Sequence, residues 1–130
     1  MVKKYYVEKY KDFALFANMI NLDGKIFYTV SNSPGGEVNS DTIFYYSQNA
    51  EIVSAIYSGG GIKAGHLIAV FNEDGLLNMH YHHINDKNEI KTGKCISIPE
   101  VLPNGKLRLH EKWQWTCDDF SKGESVIEER

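Results

Sequence analysis

Lys106 to Thr116 reads KLRLHEKWQWT, and its alternation is strict enough to assign the two faces of a β-strand. Leu107, Leu109, Glu111, Trp113 and Trp115 share one face; Arg108, His110, Lys112, Gln114 and Thr116 share the other. The first face belongs in a core and the second in water. Glu111 breaks the pattern, because it places a carboxyl between two leucines and two tryptophans on the face expected to be dry. A polar group kept on an apolar face is the clearest pointer to a site in this chain.

Working outward, short apolar or alternating runs recur at hairpin spacing. Strands are expected at Lys25 to Asn32, Asp41 to Gln48, Ile52 to Ser58, Ile62 to Phe71, Leu76 to Asn85, Ile90 to Ile98, Lys106 to Thr116 and Glu124 to Glu129. The connections carry turn chemistry: Ser33-Pro34-Gly35-Gly36, Asn49-Ala50-Glu51, Gly59-Gly60-Gly61, Glu73-Asp74-Gly75, Asp86-Lys87-Asn88, Pro103-Asn104-Gly105 and Ser121-Lys122-Gly123. Not one gap is long enough for a crossover helix, so consecutive strands pair antiparallel. An eight-strand meander leaves two bare edges, and closing it into an up-and-down barrel removes both. The expected fold is therefore an all-β, eight-stranded antiparallel barrel over residues 19–130. Residues 1–18 form an extension in which Tyr6, Tyr10, Phe13, Ala14 and Ala17 recur at helical spacing, although Tyr5, Tyr6 and Val7 suit a strand equally well.

Composition narrows the function classes. A chain of 130 residues, 42% hydrophobic and 24% charged, is one ordinary globular domain. No apolar stretch approaches a membrane span of roughly 20 residues, and MVKKYYVEKYKD lacks the apolar block of a signal peptide, so a cytoplasmic location is expected. The net charge of -3 has no basic block behind it, which argues against nucleic acid and anionic membranes. Cys95 and Cys117 fit no zinc spacing; two reduced thiols are expected, with a disulfide between them as the alternative.

The phrases DGKIFYTVSNSPGGEV, YSGGGIKAG, MHYHHIN, TGKCISIPE, LPNGKLRLHEKWQWT and GESVIEE resemble a family of short bacterial proteins of unknown function. Its members have an avidin-like or lipocalin-like barrel. The resemblance runs from about Ile20 to Glu129 and implies that barrel. Members often carry the label N-acetylglutamate synthase, which implies a pyrophosphate-holding Q/R-x-x-G-x-G/A loop at a helix N-terminus. Here the only Gly-x-Gly, Gly59 to Gly61, has Ile56 where Arg or Gln belongs, and a strand follows it.

The same glycines satisfy G-x-G-x-x-A through Ala64 but lack the βαβ context of a dinucleotide loop, so they read as a hairpin turn. His80 and His82 form an H-x-H pair of the kind barrel metal enzymes use. Their strand places Leu77, Met79, Tyr81 and His83 on the apolar face, leaving His80 and His82 in solvent; no metal and no cofactor are expected. No G-x-S-x-G elbow occurs, and two-carboxylate chemistry would need a second inward acid beside Glu111.

What remains is an inward aromatic set. Trp113, Trp115, Tyr28, Tyr46, Tyr57 and Tyr81 are expected to line the interior, with Glu111, His83 and Asn32 as convergent polar groups and His83 and Tyr81 as partners of Glu111. Three functions fit. The first is a module binding a small organic ligand in this aromatic pocket. The second is an isomerase or hydrolase using Glu111 and His83 as acid and base. The third is a filled barrel with an interaction role, as a homodimer formed through outward residues such as Ile96 and Ile98.

Overall fold

The computed structural model describes residues 20–130. The helical extension expected over residues 1–18 lies outside them. Eight strands follow in order: β1 (Ile26–Asn32), β2 (Ile43–Asn49), β3 (Ile52–Gly59), β4 (Ile62–Phe71), β5 (Leu77–Asn85), β6 (Ile90–Val101), β7 (Leu107–Trp115) and β8 (Lys122–Glu129). Each pairs antiparallel with the next, and β1 pairs antiparallel with β8, so the meander closes. The fold is the barrel that the run spacing implied. Among the described residues no helix is long and apolar enough to cross a membrane.

The largest departure from the expected strand limits is β6, which runs three residues past Ile98 and through Pro99. Beyond Ser97 it no longer pairs with β5 and continues against β7 alone. One edge of the strand makes no ladder there, the kind of position where the missing proline N–H is tolerated.

Period-two alternation carries one side chain in two to the interior. Phe27, Phe44, Tyr46, Val53, Ala55, Leu67, Ala69, Leu77, Met79, Leu107, Leu109 and Ile127 form a continuous core. Ile20 and Leu22, ahead of β1, join it and are fully buried. Their backbone is tied to the end of β2: the Leu22 N–H donates to Gln48 Oε1 at 2.8 Å, the Gln48 N–H to Asp23 Oδ1 at 2.9 Å, and the Gly24 N–H to Tyr46 O at 3.0 Å. This segment closes one end of the barrel. The β1–β2 connection belongs to the other end.

The seam between β1 and β8 carries a register shift between Thr29 and Ser31. Outside it, the Tyr28 hydroxyl donates to Glu128 Oε2 at 3.1 Å, Arg108 pairs with the same carboxylate, and Glu100 accepts from His110 Nε2 at 2.8 Å. Tyr28 therefore lies on the outer face, a correction to its expected inward place. Phe27 and Thr29 occupy the inner positions on either side of it. Both cysteines are free, so the disulfide alternative is also corrected: Cys95 is buried inside, and Cys117 lies in the β7–β8 connection.

Burial at the seam should outweigh the polar clasp over it. Ile127, 0% exposed, should cost about 2–5 kcal/mol on replacement by Ala, through lost transfer energy and a residual cavity. Glu128→Ala should cost no more than about 1 kcal/mol, because its partners are partly solvated. Urea denaturation of the two variants measures the contrast.

Candidate functional site

The interior is packed at the closed end and hollow toward the other. A cavity of about 50 Å³ is lined by residues from all eight strands, among them Phe44, Tyr57, Met79, Tyr81, Cys95 and Trp113. On the order of four water-sized positions fit in that volume. Trp115, His83, Glu111, Asn32 and Ser125 also border it, as do Gly36, Glu37 and Val38 from the β1–β2 connection.

Three of the rings owe their placement to glycines. Tyr57 on β3 is paired with Gly65 on β4, Tyr81 on β5 with Gly93 on β6, and Trp113 on β7 with Gly123 on β8. A Cβ added to each glycine would collide with the ring opposite it. Each ring thus lies across the neighbouring strand, in space that any other residue would fill, and leaves the centre open. Trp115 stands edge-on to Tyr81 and His83, at centroid distances of 6.0 and 5.7 Å. Phe44 stacks on Tyr57 at 4.9 Å.

Glu111 points inward, as its strand alternation requires. Its Oε1 accepts from the Ser125 hydroxyl at 3.4 Å, a long bond, while Oε2 is closed off from solvent with no hydrogen-bond partner. Part of the residue borders the cavity, which is why it counts as only half-buried although its carboxyl tip is enclosed. Burial raises its pKa from 4.5 to about 7, with the Ser97 and Ser125 hydroxyls acting the other way. The expected partners, His83 and Tyr81, are not the ones it has.

His83 is committed elsewhere. Its Nε2 meets Glu37 Oε1 at 2.7 Å and its Nδ1 meets the Tyr57 hydroxyl at 2.9 Å. Burial lowers its pKa below the usual value, against the opposing pull of Glu37, so the imidazole is neutral near pH 7. An ionised Glu37 can only accept, which puts the ring proton on Nε2 and leaves Nδ1 to accept the Tyr57 proton. Glu37 Oε2 also accepts from Asn85 Nδ2 at 3.0 Å. The second inward carboxyl that the strands did not supply comes from this connection.

The connection is held down at further points. Trp113 Nε1 donates to Asn32 Oδ1 at 2.9 Å, Trp115 Nε1 to Gly35 O at 3.1 Å, and Asn32 Nδ2 to Val38 O at 3.1 Å. Both indole N–H groups are thereby occupied, and the tryptophans present ring surface to the cavity. Tyr46 is inside but below the cavity, edge-on to Phe27 at 5.0 Å, with its hydroxyl unpartnered. Of the nine expected site residues, Glu111, Trp113, Trp115, Tyr81, His83, Tyr57 and Asn32 meet at the cavity, whereas Tyr28 and Tyr46 do not.

Glu37 was the main omission. Two signals pointed to it: the longest connection in the chain, and a histidine on an apolar face that required a partner. His80 and His82 are exposed on the outer face of β5. Among the described residues no group of three or more His, Cys, Asp or Glu could hold a metal ion. Gly59-Gly60-Gly61 is the β3–β4 hairpin, with Gly59 and Gly60 at φ of 107° and 62° and Gly59 paired to Ile62. It is not a phosphate-holding loop at a helix.

These features define a closed antiparallel barrel with a partly open, aromatic, acid-bearing cavity near one end. The chain belongs to the avidin-like family: the family model described as "Avidin-like protein" matches residues 20–130. No curated protein and no solved structure matches it significantly.

Two measurements check this geometry. Gly93→Ala should push the Tyr81 ring out of place and cost about 1–3 kcal/mol. Gly61→Ala, with ordinary φ and only distant neighbours, should change stability by no more than about 0.5 kcal/mol. For Glu111, the folded state holds the proton more tightly than the unfolded chain between pH 4.5 and about 7. Its contribution is therefore complete below pH 4.5 and is lost as pH rises through 7, by about 3 kcal/mol at most. His83, with its pKa lowered, acts in the opposite sense, adding stability as pH rises toward 6.5. The stability difference between wild type and Glu111→Gln isolates the carboxyl, and it should shift in favour of the variant from pH 5 to pH 8. A difference independent of pH would mean a solvated carboxyl.

Proposed function

We propose that the protein binds a small organic molecule in the barrel interior, with Glu111 as polar anchor and Trp113, Trp115, Tyr57 and Tyr81 as the apolar wall. One observation carries this reading: a cavity remains in an otherwise packed barrel, and it is lined by Glu111, a residue whose carboxyl is buried with one oxygen unpartnered. A barrel that served packing alone would be more stable with Leu at 111, since an unpaired buried carboxyl opposes folding. Membership of the avidin-like family supports the same reading.

A second reading, proton transfer on a bound substrate, is favoured by the Glu37–His83–Tyr57 chain. A substrate proton could pass to the Tyr57 oxygen as the Tyr57 proton moves to His83 Nδ1, leaving an imidazolium beside Glu37. Glu111 would return a proton at another atom, so the net change is an isomerisation. The reading extends to a cytoplasmic protein, supported by two free cysteines, and to a homodimer through Ile96 and Ile98, supported by the outward, partly exposed place of Ile96.

A panel of small metabolites, followed by thermal shift and tryptophan fluorescence, should yield ligands that raise the melting temperature and perturb emission together. Glu111→Leu should raise the melting temperature of the free protein and abolish those shifts. Proton NMR of each hit with enzyme in D2O separates the readings: deuterium entering a C–H position, and lost with Tyr57→Phe, indicates catalysis. A panel without hits and a Glu111→Leu variant that unfolds would sink both.

A further inference from the structure

The charged groups around the cavity are one-sided. Two carboxyl residues, Glu37 and Glu111, line it, and no Lys or Arg does so among the described residues. The one histidine is neutral and fully engaged between Glu37 and Tyr57. Both indole N–H groups are occupied, Trp113 with Asn32 at the end of β1 and Trp115 with Gly35 in the β1–β2 connection, so neither tryptophan offers a donor inward. Tyr57 gives its proton to His83, which leaves an oxygen lone pair. Glu111 Oε2 is enclosed and makes no hydrogen bond, although the Ser97 hydroxyl on the neighbouring strand acts on the same carboxyl.

An anionic ligand would meet carboxyl groups there with no cation to neutralise it. A ligand without donors would leave Oε2 unpaired in a dry site, which is the costly outcome for a buried acceptor. A cation with N–H groups removes the deficit, because it supplies donors and charge at the same atom. The surrounding rings suit it too: Trp113 and Trp115 lie 5.7 Å apart at 56°, Trp115 meets Tyr81 at 67°, and their π-faces attract positive charge.

Resting on the small-ligand reading above, we propose that the cavity is a site for a small organic ammonium ion of about two to four carbons, a size set by its water-scale volume. Its N–H groups bond to the Glu111 carboxyl and the Tyr57 oxygen, and its carbon chain lies against Trp113, Trp115 and Tyr81. Glu37 and His83 position the Tyr57 oxygen as an acceptor by drawing its proton away from the cavity. In this arrangement the Glu111 carboxyl is the recognition element.

The test is a matched series on the full chain at constant ionic strength: ethylammonium and n-propylammonium chloride, n-propanol, propionamide, sodium propionate and potassium chloride. Isothermal titration and tryptophan fluorescence report affinity, and thermal shift reports stabilisation. The two ammonium ions should bind at least about tenfold more tightly than any other member. Glu111→Gln should bring them down to the level of n-propanol. Should propionate or a neutral member bind as well as the ammonium ions, should potassium reproduce their effect, or should a folded Glu111→Gln keep wild-type affinity, the ammonium proposal is overturned. The wild-type series decides the matter even where the variant does not fold. The broader metabolite panel tells the two readings apart: hits there, with none among the ammonium ions, refute only the cation, whereas no hits in either set refute small-ligand binding as well.

Discussion

Closure of β1 against β8 is the constraint on which everything else here depends. An open eight-strand sheet would have two bare edges and two faces, and its inner face would stay in contact with water. Closing it gives an interior just wide enough for side chains to fill. Every inward position then competes for the same small volume, and every inward polar atom loses its water. The raised pKa of Glu111 and the lowered pKa of His83 are two consequences of this one enclosure, opposite in sign because burial disfavours whichever form is charged.

Filling such a barrel with large rings would leave no space at all. The Tyr57–Gly65, Tyr81–Gly93 and Trp113–Gly123 pairs solve this by laying each ring against the adjacent strand. The glycines weaken their own strands, since they give up side-chain packing and backbone order. What they allow is a wall of aromatic surface with a hollow behind it. A site of this kind is built from packing geometry, and its polar groups are few: one carboxyl at the wall and one hydrogen-bonded chain at the mouth.

The β1–β2 connection joins the two. Its backbone accepts from Trp115, its Val38 carbonyl accepts from Asn32, and its Glu37 meets His83 and Asn85 on β5. A single connection thus orients Trp115 directly and Trp113 through Asn32, fixes the histidine tautomer and forms part of the cavity lining. Loops that carry this many buried contacts are commonly where a rigid scaffold places its function. The Glu37–His83–Tyr57 chain connects the loop to an interior hydroxyl by hydrogen bonds, linking the cover of the site to its interior.

Read by itself, the sequence determined the barrel and the orientation of most of its strands. Period-two alternation in β7 and β5 assigns Glu111, Trp113, Trp115, Tyr81 and His83 to the inside and His80 and His82 to the outside, because side-chain direction on a strand is a local property of the backbone. The turn residues set the meander for the same reason. Alternation was silent where both faces carry apolar residues: on β1 it left Tyr28 assigned to the wrong face, and on β2 it could not tell that Tyr46 sits beneath the cavity and outside its lining. Which side chains meet across the barrel was decided only in three dimensions. Glu37 and His83 are 46 residues apart, and Trp113 and Asn32 are 81 apart; closure of the sheet brings each pair together, and no local pattern records it. The partner of Glu111 was equally undetermined, because a carboxyl's inward direction follows from its own strand, whereas its contacts with Ser97 and Ser125 depend on the register of the two neighbouring strands.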